Sequence, residues 1–167
     1  MQKSLAVANY FIDLATRSGS PPTHMKIQKL LFFAHGWHLA LTDQPLLDEI
    51  IQAWKWGPVV PNVYQEFKTA GRSPITTKGT ELVSTSQGLM WIAPEINDPT
   101  GYVPALLNKI WEVFGPYTGL QLSEMTHAQG TPWKTVVDAC TSGLTLNCPI
   151  SDDLIKSYFK GLSNARQ

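Results

Sequence analysis

One segment is apolar almost all the way round a helix, and it constrains the fold more than any other part of the chain. Thr23 follows Pro21 and Pro22 as a good N-cap, and the apolar residues after it cluster within an arc of about 120° at helical spacing. Phe32 and Leu39 occupy much of the opposite side. A helix without a polar face is buried, so we predict a central helix. Its clustered apolar residues are Ile27, Leu30, Leu31, Ala34, Trp37 and Leu41.

Further helix signals occur along the rest of the chain. Ser4 is a candidate N-cap for an amphipathic helix that ends at Gly19. Caps, staples and apolar stripes predict the others. These helices are expected from Pro61 to Gly71, along the stripe from Val103 to Phe114, after Thr118 with its capping-box partner Gln121, after Thr131 and Pro132, and after Ser151, flanked by the staple pair Ile150 and Ile155.

The β signals are few. Residues 50–56 alternate as one short strand that Gly57 and Pro58 end, and a hairpin is expected with arms Glu81–Ser84 and Leu89–Ala93. We therefore predict a mainly α (α+β) fold, with six or seven helices around the buried central helix and a small antiparallel β insertion.

The chain has the length of a single domain. We assign residues 1–167 to one domain, in which 141–167 is a C-terminal extension that carries the last helix. The segment Thr141 to Pro149 has a loose composition, which would let the last helix dock separately.

Charge excludes several classes of partner. The chain has 13 basic and 13 acidic residues, a net charge of zero, and no basic stripe for binding nucleic-acid phosphates. No run approaches the 18 or so apolar residues of a membrane span, and Met1, Gln2 and Lys3 lead into an amphipathic stretch rather than a signal peptide. We expect a cytoplasmic protein that binds neither nucleic acid nor membrane. Cys140 and Cys148, without metal-ligand neighbours, are expected to be reduced.

Catalytic patterns are weak. His35 and His38, three residues apart, could supply two metal ligands, and His127 could join them, but no third ligand is close in sequence. The alternative is one hydrogen-bonded core histidine and one semi-exposed neighbour. The sequence has no GxSxG elbow, P-loop or GxGxxG turn. We predict no enzyme and no cofactor, with a metal-dependent or hydrolytic enzyme as the competing class.

Tryptophans give the clearest binding signal. Trp54 and Trp56 are expected on one face of the strand before the rigid Gly57-Pro58 turn. If helices cover this face, both are core residues, whereas a lone edge strand would leave at least one partly exposed as an anchor for a partner. Trp133 begins an apolar stripe and has the same two interpretations.

Two sequence blocks carry a resemblance to a known family. The central-helix run KIQKLLFFAHGW (26–37) and the later AWKWGPVVP (53–61) together resemble the Panacea-domain family of SocA-like antitoxins. The resemblance covers residues 4–140 and departs mildly at Trp56, where tyrosine is frequent. The other matching residues are Tyr64, Phe67, Gly71, Leu120, Ser123, Thr126, His127 and the run Gly130, Thr131, Pro132, Trp133.

The resemblance implies a function. It suggests a mainly helical protein, often phage-associated, that neutralises a toxin encoded nearby by direct binding. The alternative it implies is a proteolytic adaptor that delivers the toxin to a ClpXP-type protease. It supplies no catalytic residue, and a DNA-binding domain is not expected within these 167 residues. The predicted partner-binding residues are Trp54, Lys55, Trp56, Pro58, Tyr64, His35, His127 and Trp133.

Overall fold

Seven helices and five short strands make up the described part of the chain. The structure is a computed structural model, and it describes residues 1–86, 88–140 and 147–165. The predicted mainly α fold with a small β insertion is confirmed. The helices are α1 (Ser4–Arg17), α2 (His24–Thr42), α3 (Pro61–Phe67), α4 (Tyr102–Phe114), α5 (Gly119–His127), α6 (Pro132–Ala139) and α7 (Asp152–Asn164). The strands are β1 (Gln52–Trp54), β2 (Gly57–Val59), β3 (Glu81–Thr85), β4 (Gly88–Ile92) and β5 (Cys148–Pro149).

Helix α2 is the central helix, as predicted. Its N-cap is Thr23, whose side chain accepts a hydrogen bond from the Lys26 backbone N–H. It packs against α1, α4, α5 and α7, and its apolar residues are buried on opposite sides of the helix, as Ile27 and Phe32 illustrate. The other elements are therefore arranged around α2.

The last helix packs directly on α2. Phe159 is completely buried, and its ring meets Phe32 and Trp37 edge-on. The ring lies where a side chain at Gly36 would be, because a Cβ built there would come within 2.1 Å of it. Ile150 and Ile155 are also buried, in agreement with the staple. The helix is thus part of the core. The expectation of a separately docking helix depended on residues 141–149, of which 141–146 lie outside the described residues.

The first strand is shorter than predicted, because β1 covers only Gln52–Trp54 of the expected residues 50–56. Instead of ending a strand, Gly57 and Pro58 begin β2, which pairs antiparallel with β1 so that Trp54 lies opposite Gly57. Lys55 and Trp56 form the turn between the strands. The sheet order is β2-β1-β5, so Pro58 lies in an edge strand, where a missing N–H is tolerated. Trp54 and Trp56 therefore do not share a strand face.

Two local predictions also need correction. Lys3 is the N-cap of α1, and Ser4 is its first helical residue, because its backbone N–H and hydroxyl both donate to the Asp48 carboxylate instead of capping. The expectation of reduced thiols was wrong as well. Cys140 at the end of α6 forms a disulfide with Cys148 of β5, since the fold brings these two elements together.

The second hairpin was predicted correctly and is strongly exposed. Strands β3 and β4 pair antiparallel, and Leu82 lies opposite Trp91 while Ser84 lies opposite Leu89. These positions share one face, on which Leu82, Leu89 and Trp91 are all exposed.

None of the helices in the described residues is long and apolar enough to cross a membrane.

Candidate functional site

Side chains from three helices hold the β1–β2 hairpin by its backbone carbonyl groups. The Trp133 indole N–H of α6 donates to the Trp54 carbonyl at 2.8 Å, and the Ser123 hydroxyl of α5 donates to the Trp56 carbonyl at 2.9 Å. The Lys29 ammonium of α2 donates to the Pro58 carbonyl at 3.2 Å. Each donor is itself buried, so side chains of the core hold the backbone on both sides of the turn at residues 55–56.

Gln28 fixes the end of the hairpin. Its amide oxygen accepts the Val60 backbone N–H at 2.7 Å, and its amide nitrogen lies 3.4 Å from His24 Nε2. Val60 is the residue before α3, so Gln28 links α2 to both the hairpin and the start of α3. Successive turns of α2 thus present His24, Gln28 and Lys29 to the same part of the molecule.

Gly57 allows the hairpin to lie close to Lys29. Its φ of 105° is in the region that favours glycine, and a Cβ there would come within 2.6 Å of Lys29 Cε and 2.9 Å of Thr126 Oγ1. We expect Gly57→Ala to lower the free energy of unfolding by about 2–4 kcal/mol, from overpacking and backbone strain together. Urea denaturation measures this effect. Gly71→Ala is the matched control, because that glycine also has a positive φ but open space around it; an equal loss in both variants would contradict the packing argument.

The buried Lys29 has no acidic partner in the part of the chain that the structure describes. Its side chain is 1% exposed, and among the described residues no carboxylate forms an ion pair with it. Desolvation lowers the pKa of Lys29 to about 7. Burial and the nearby Lys29 charge also lower the pKa of His24 to about 4 and shift the pKa of His127 downward. His24 is therefore neutral near pH 7.

An open cleft of about 400 Å³ adjoins the hairpin, and we call it the Trp54 cleft. The Tyr64 ring forms part of its wall, with ring centroids 4.8 Å from His24 and 4.7 Å from Trp54. Trp56 is 59% exposed, and Lys55 Nζ lies 5.2 Å from its ring centroid. The residues that line the cleft are His24, Met25, Gln28, Lys29, Trp54, Lys55, Trp56, Val59, Tyr64 and Gly71.

Most of the predicted partner-binding residues converge here, and one does not. Trp54, Lys55, Trp56 and Tyr64 line the cleft, while Pro58 is buried in β2 and accepts the bond from Lys29. Trp133 is also buried, and His127 stacks on it with ring centroids 3.8 Å apart. His35 lies elsewhere, at the contact between α2 and α7.

The histidines of α2 have structural partners. His35 is 1% exposed; its Nε2 lies 2.9 Å from Asp152 Oδ1, and its Nδ1 accepts the Leu47 backbone N–H. His38 Nδ1 lies 2.7 Å from the Gln44 carbonyl. Both are buried, so the expectation of a semi-exposed neighbour was wrong. Burial lowers the pKa of each imidazole.

The histidines do not assemble into a ligand set. Among the described residues His127 Nε2 has no hydrogen-bond partner, and the His127 ring stacks on Trp133 rather than joining His35 and His38. Within residues 1–86, 88–140 and 147–165, no three histidine, cysteine or acidic side chains are close enough to hold a metal ion. Thus the three-histidine arrangement considered for an enzyme is not formed in this part of the chain.

Local sequence patterns assign no role to Gln28, Lys29 or His24 in this site. The available signal was the position of Lys29 between Ile27 and Leu30 on a helix that is apolar all round, because a buried lysine needs a polar partner. The exposed tryptophan of β4 was missed too. Trp91 is 69% exposed, and its strand lies in a hairpin that had been predicted from composition alone.

Comparison with known proteins agrees with the earlier resemblance. The sequence model of the family described as "Antitoxin SocA-like, Panacea domain" matches residues 27–134. The chain belongs to this antitoxin family. It is also 32% identical over 155 residues, 93% of this chain and 81% of the relative, to Antitoxin SocA of Caulobacter vibrioides (strain NA1000 / CB15N). No solved structure matches the chain.

The side chains that anchor the β1–β2 hairpin lie within the range that the family model matches. The matched residues begin within α2 and end within α6, so they include Gln28, Lys29, Ser123 and Trp133, which bind the hairpin and the residue that follows it. These side chains are distant in sequence and meet at one place. In this chain they anchor the β1–β2 hairpin, whose turn is exposed.

Proposed function

We propose that this protein neutralises a toxin by direct binding, and that the turn of the β1–β2 hairpin is the centre of the binding surface. Membership of an antitoxin family supports the general role. The observation that carries the proposal is the exposed Trp56, which stands on a turn whose backbone is anchored from the core. The protein acts by binding rather than by catalysis.

The physical case concerns preorganisation. Tryptophan contributes a large rigid surface and is enriched at binding hot spots. Because Ser123, Trp133 and Lys29 already fix the hairpin backbone, little conformational entropy remains to be lost there on association. The Lys55 ammonium lies 5.2 Å from the Trp56 ring centroid, a distance that allows a cation–π contact.

Replacing Trp56 by alanine tests the proposal. We expect Trp56→Ala to weaken toxin binding at least tenfold, as is typical of a hot-spot residue, and to change the free energy of unfolding by less than about 1 kcal/mol, because the side chain is mostly exposed. Titration calorimetry with the purified toxin measures the first quantity, and urea denaturation the second. Growth rescue of cells that express the toxin gives an independent readout.

Trp91→Ala is the matched control. Trp91 is exposed to a similar extent, but it lies on the β3–β4 hairpin, which forms a different β-sheet from the first hairpin. It should therefore bind toxin like the wild type. Loss of binding in Trp91→Ala with none in Trp56→Ala would move the binding surface to the second hairpin. If the toxin is not neutralised by the wild-type protein in excess, the antitoxin role itself fails.

Proteolytic delivery is the alternative mechanism that the family resemblance implies. An adaptor for a ClpXP-type protease also has to bind the toxin, so both mechanisms can use the Trp56 surface. They differ in the fate of the toxin. Direct inhibition leaves the half-life of the toxin unchanged in a stable complex, whereas delivery shortens that half-life only when the protease is present.

A further inference from the structure

The Trp54 cleft has an uneven charge. Two of its lining residues, Lys29 and Lys55, are basic, and none of its lining residues is acidic. The sequence as a whole has a net charge of zero, so this excess is local to the cleft. Acidic and basic residues elsewhere form several surface ion pairs, such as Lys109 with Glu112. Among the described residues, Lys29 and Lys55 form no such pair.

The walls of the cleft are aromatic. Tyr64 lies against both His24 and Trp54, and Trp56 extends this surface toward solvent. Such a wall binds an apolar or aromatic side chain by burying its surface. The volume of about 400 Å³ is sufficient for one large side chain together with a neighbouring small one.

We propose that the Trp54 cleft receives an acidic segment of the toxin, in which a carboxylate faces Lys55 and an adjacent apolar side chain packs on the Tyr64 and Trp54 rings. This inference rests on the proposed function and specifies the chemistry of the partner. Charge complementarity with the exposed Lys55 selects the occupant: a basic segment would be repelled by this lysine, whereas a carboxylate would form an ion pair with it that a purely apolar segment cannot form.

Lys55 is the appropriate residue for the test, because it is exposed and lies in the turn, so its replacement does not disturb the core. We expect Lys55→Glu to weaken toxin binding at least tenfold in 50 mM NaCl and Lys55→Gln to weaken it several-fold, since a reversed charge repels a carboxylate and a neutral side chain only loses the attraction. Raising the salt to 500 mM should reduce the difference between the two variants.

The control and the deciding comparison use the same toxin preparation. Lys109→Glu reverses an exposed lysine on α4, which does not line the cleft, and should bind like the wild type. If Lys55→Glu binds as tightly as the wild type while Trp56→Ala binds weakly, the acidic-segment inference is wrong and the proposed function stands. If Lys55→Glu binds more tightly, the toxin segment is basic and the inference is also wrong. If Trp56→Ala also binds normally, the proposed surface itself is wrong.

Discussion

Replacing Phe159 by alanine should lower the free energy of unfolding by about 3–5 kcal/mol, the usual cost of deleting a large buried aromatic ring. Phe159 is completely buried, and its ring packs edge-to-face against Phe32, Phe33 and Trp37 of the central helix. Its ring occupies the space beside Gly36, which has no side chain of its own. Urea denaturation followed by circular dichroism measures the loss.

A residue on the outer side of the same helix provides the control. Leu162 is exposed, so Leu162→Ala should cost less than about 1 kcal/mol. Gly36→Ala probes the same contact from the other helix and should also be destabilising, because its Cβ would overlap the Phe159 ring. Equal, small effects of Phe159→Ala and Leu162→Ala would show that α7 is not part of the core.

Local signals predicted most of the helical architecture. Thr118 and Gln121 form the expected capping box at α5, and Thr131 and Ser151 cap α6 and α7 through their side chains. These features depend on residues three or four positions apart, so a sequence pattern contains all the information they need. The burial of α2 was predictable for a related reason, because apolar residues all round a helix leave it no solvent face.

The first hairpin was not predictable in the same way. Residues 50–56 have the composition of a strand, and local propensity gives no reason to turn at Lys55 and Trp56. The turn is stabilised instead by donors from Lys29, Ser123 and Trp133, which are distant in sequence. The disulfide between Cys140 and Cys148 likewise follows from the packing of α6 against β5 rather than from any spacing rule.

The candidate site was predicted in its aromatic part and missed in its electrostatic part. Trp54, Trp56 and Tyr64 were singled out because tryptophan and tyrosine anchor interfaces, and the structure brings them to one cleft. The contribution of Lys29 depends on the carbonyl of Pro58, which lies 29 positions further along the chain. No periodicity within α2 could show that this carbonyl would be there.

The buried Lys29 should make stability depend on pH. Its pKa is lowered by burial to about 7 in the folded protein, whereas in the unfolded chain it returns to its usual value of 10.5. Between these values the unfolded state binds more protons than the folded state. Since the free energy of unfolding rises with pH wherever the unfolded state binds more protons, we expect the protein to become more stable from pH 7 upward, by as much as about 1.4 kcal/mol per pH unit.

Lys29→Met isolates this effect, because methionine has a similar length and no charge. In the variant, the free energy of unfolding should depend less on pH between pH 7 and pH 9.5. At pH 7 the variant should also unfold at a higher urea concentration than the wild type, because the wild type still holds a largely uncompensated charge in its core at that pH. Loss of the bond to the Pro58 carbonyl offsets part of this gain, by about 1 kcal/mol. Lys109→Met, at an exposed lysine, should keep the wild-type slope. If Lys29→Met keeps that slope as well, Lys29 is not the group that titrates, and the hairpin does not cover a desolvated charge.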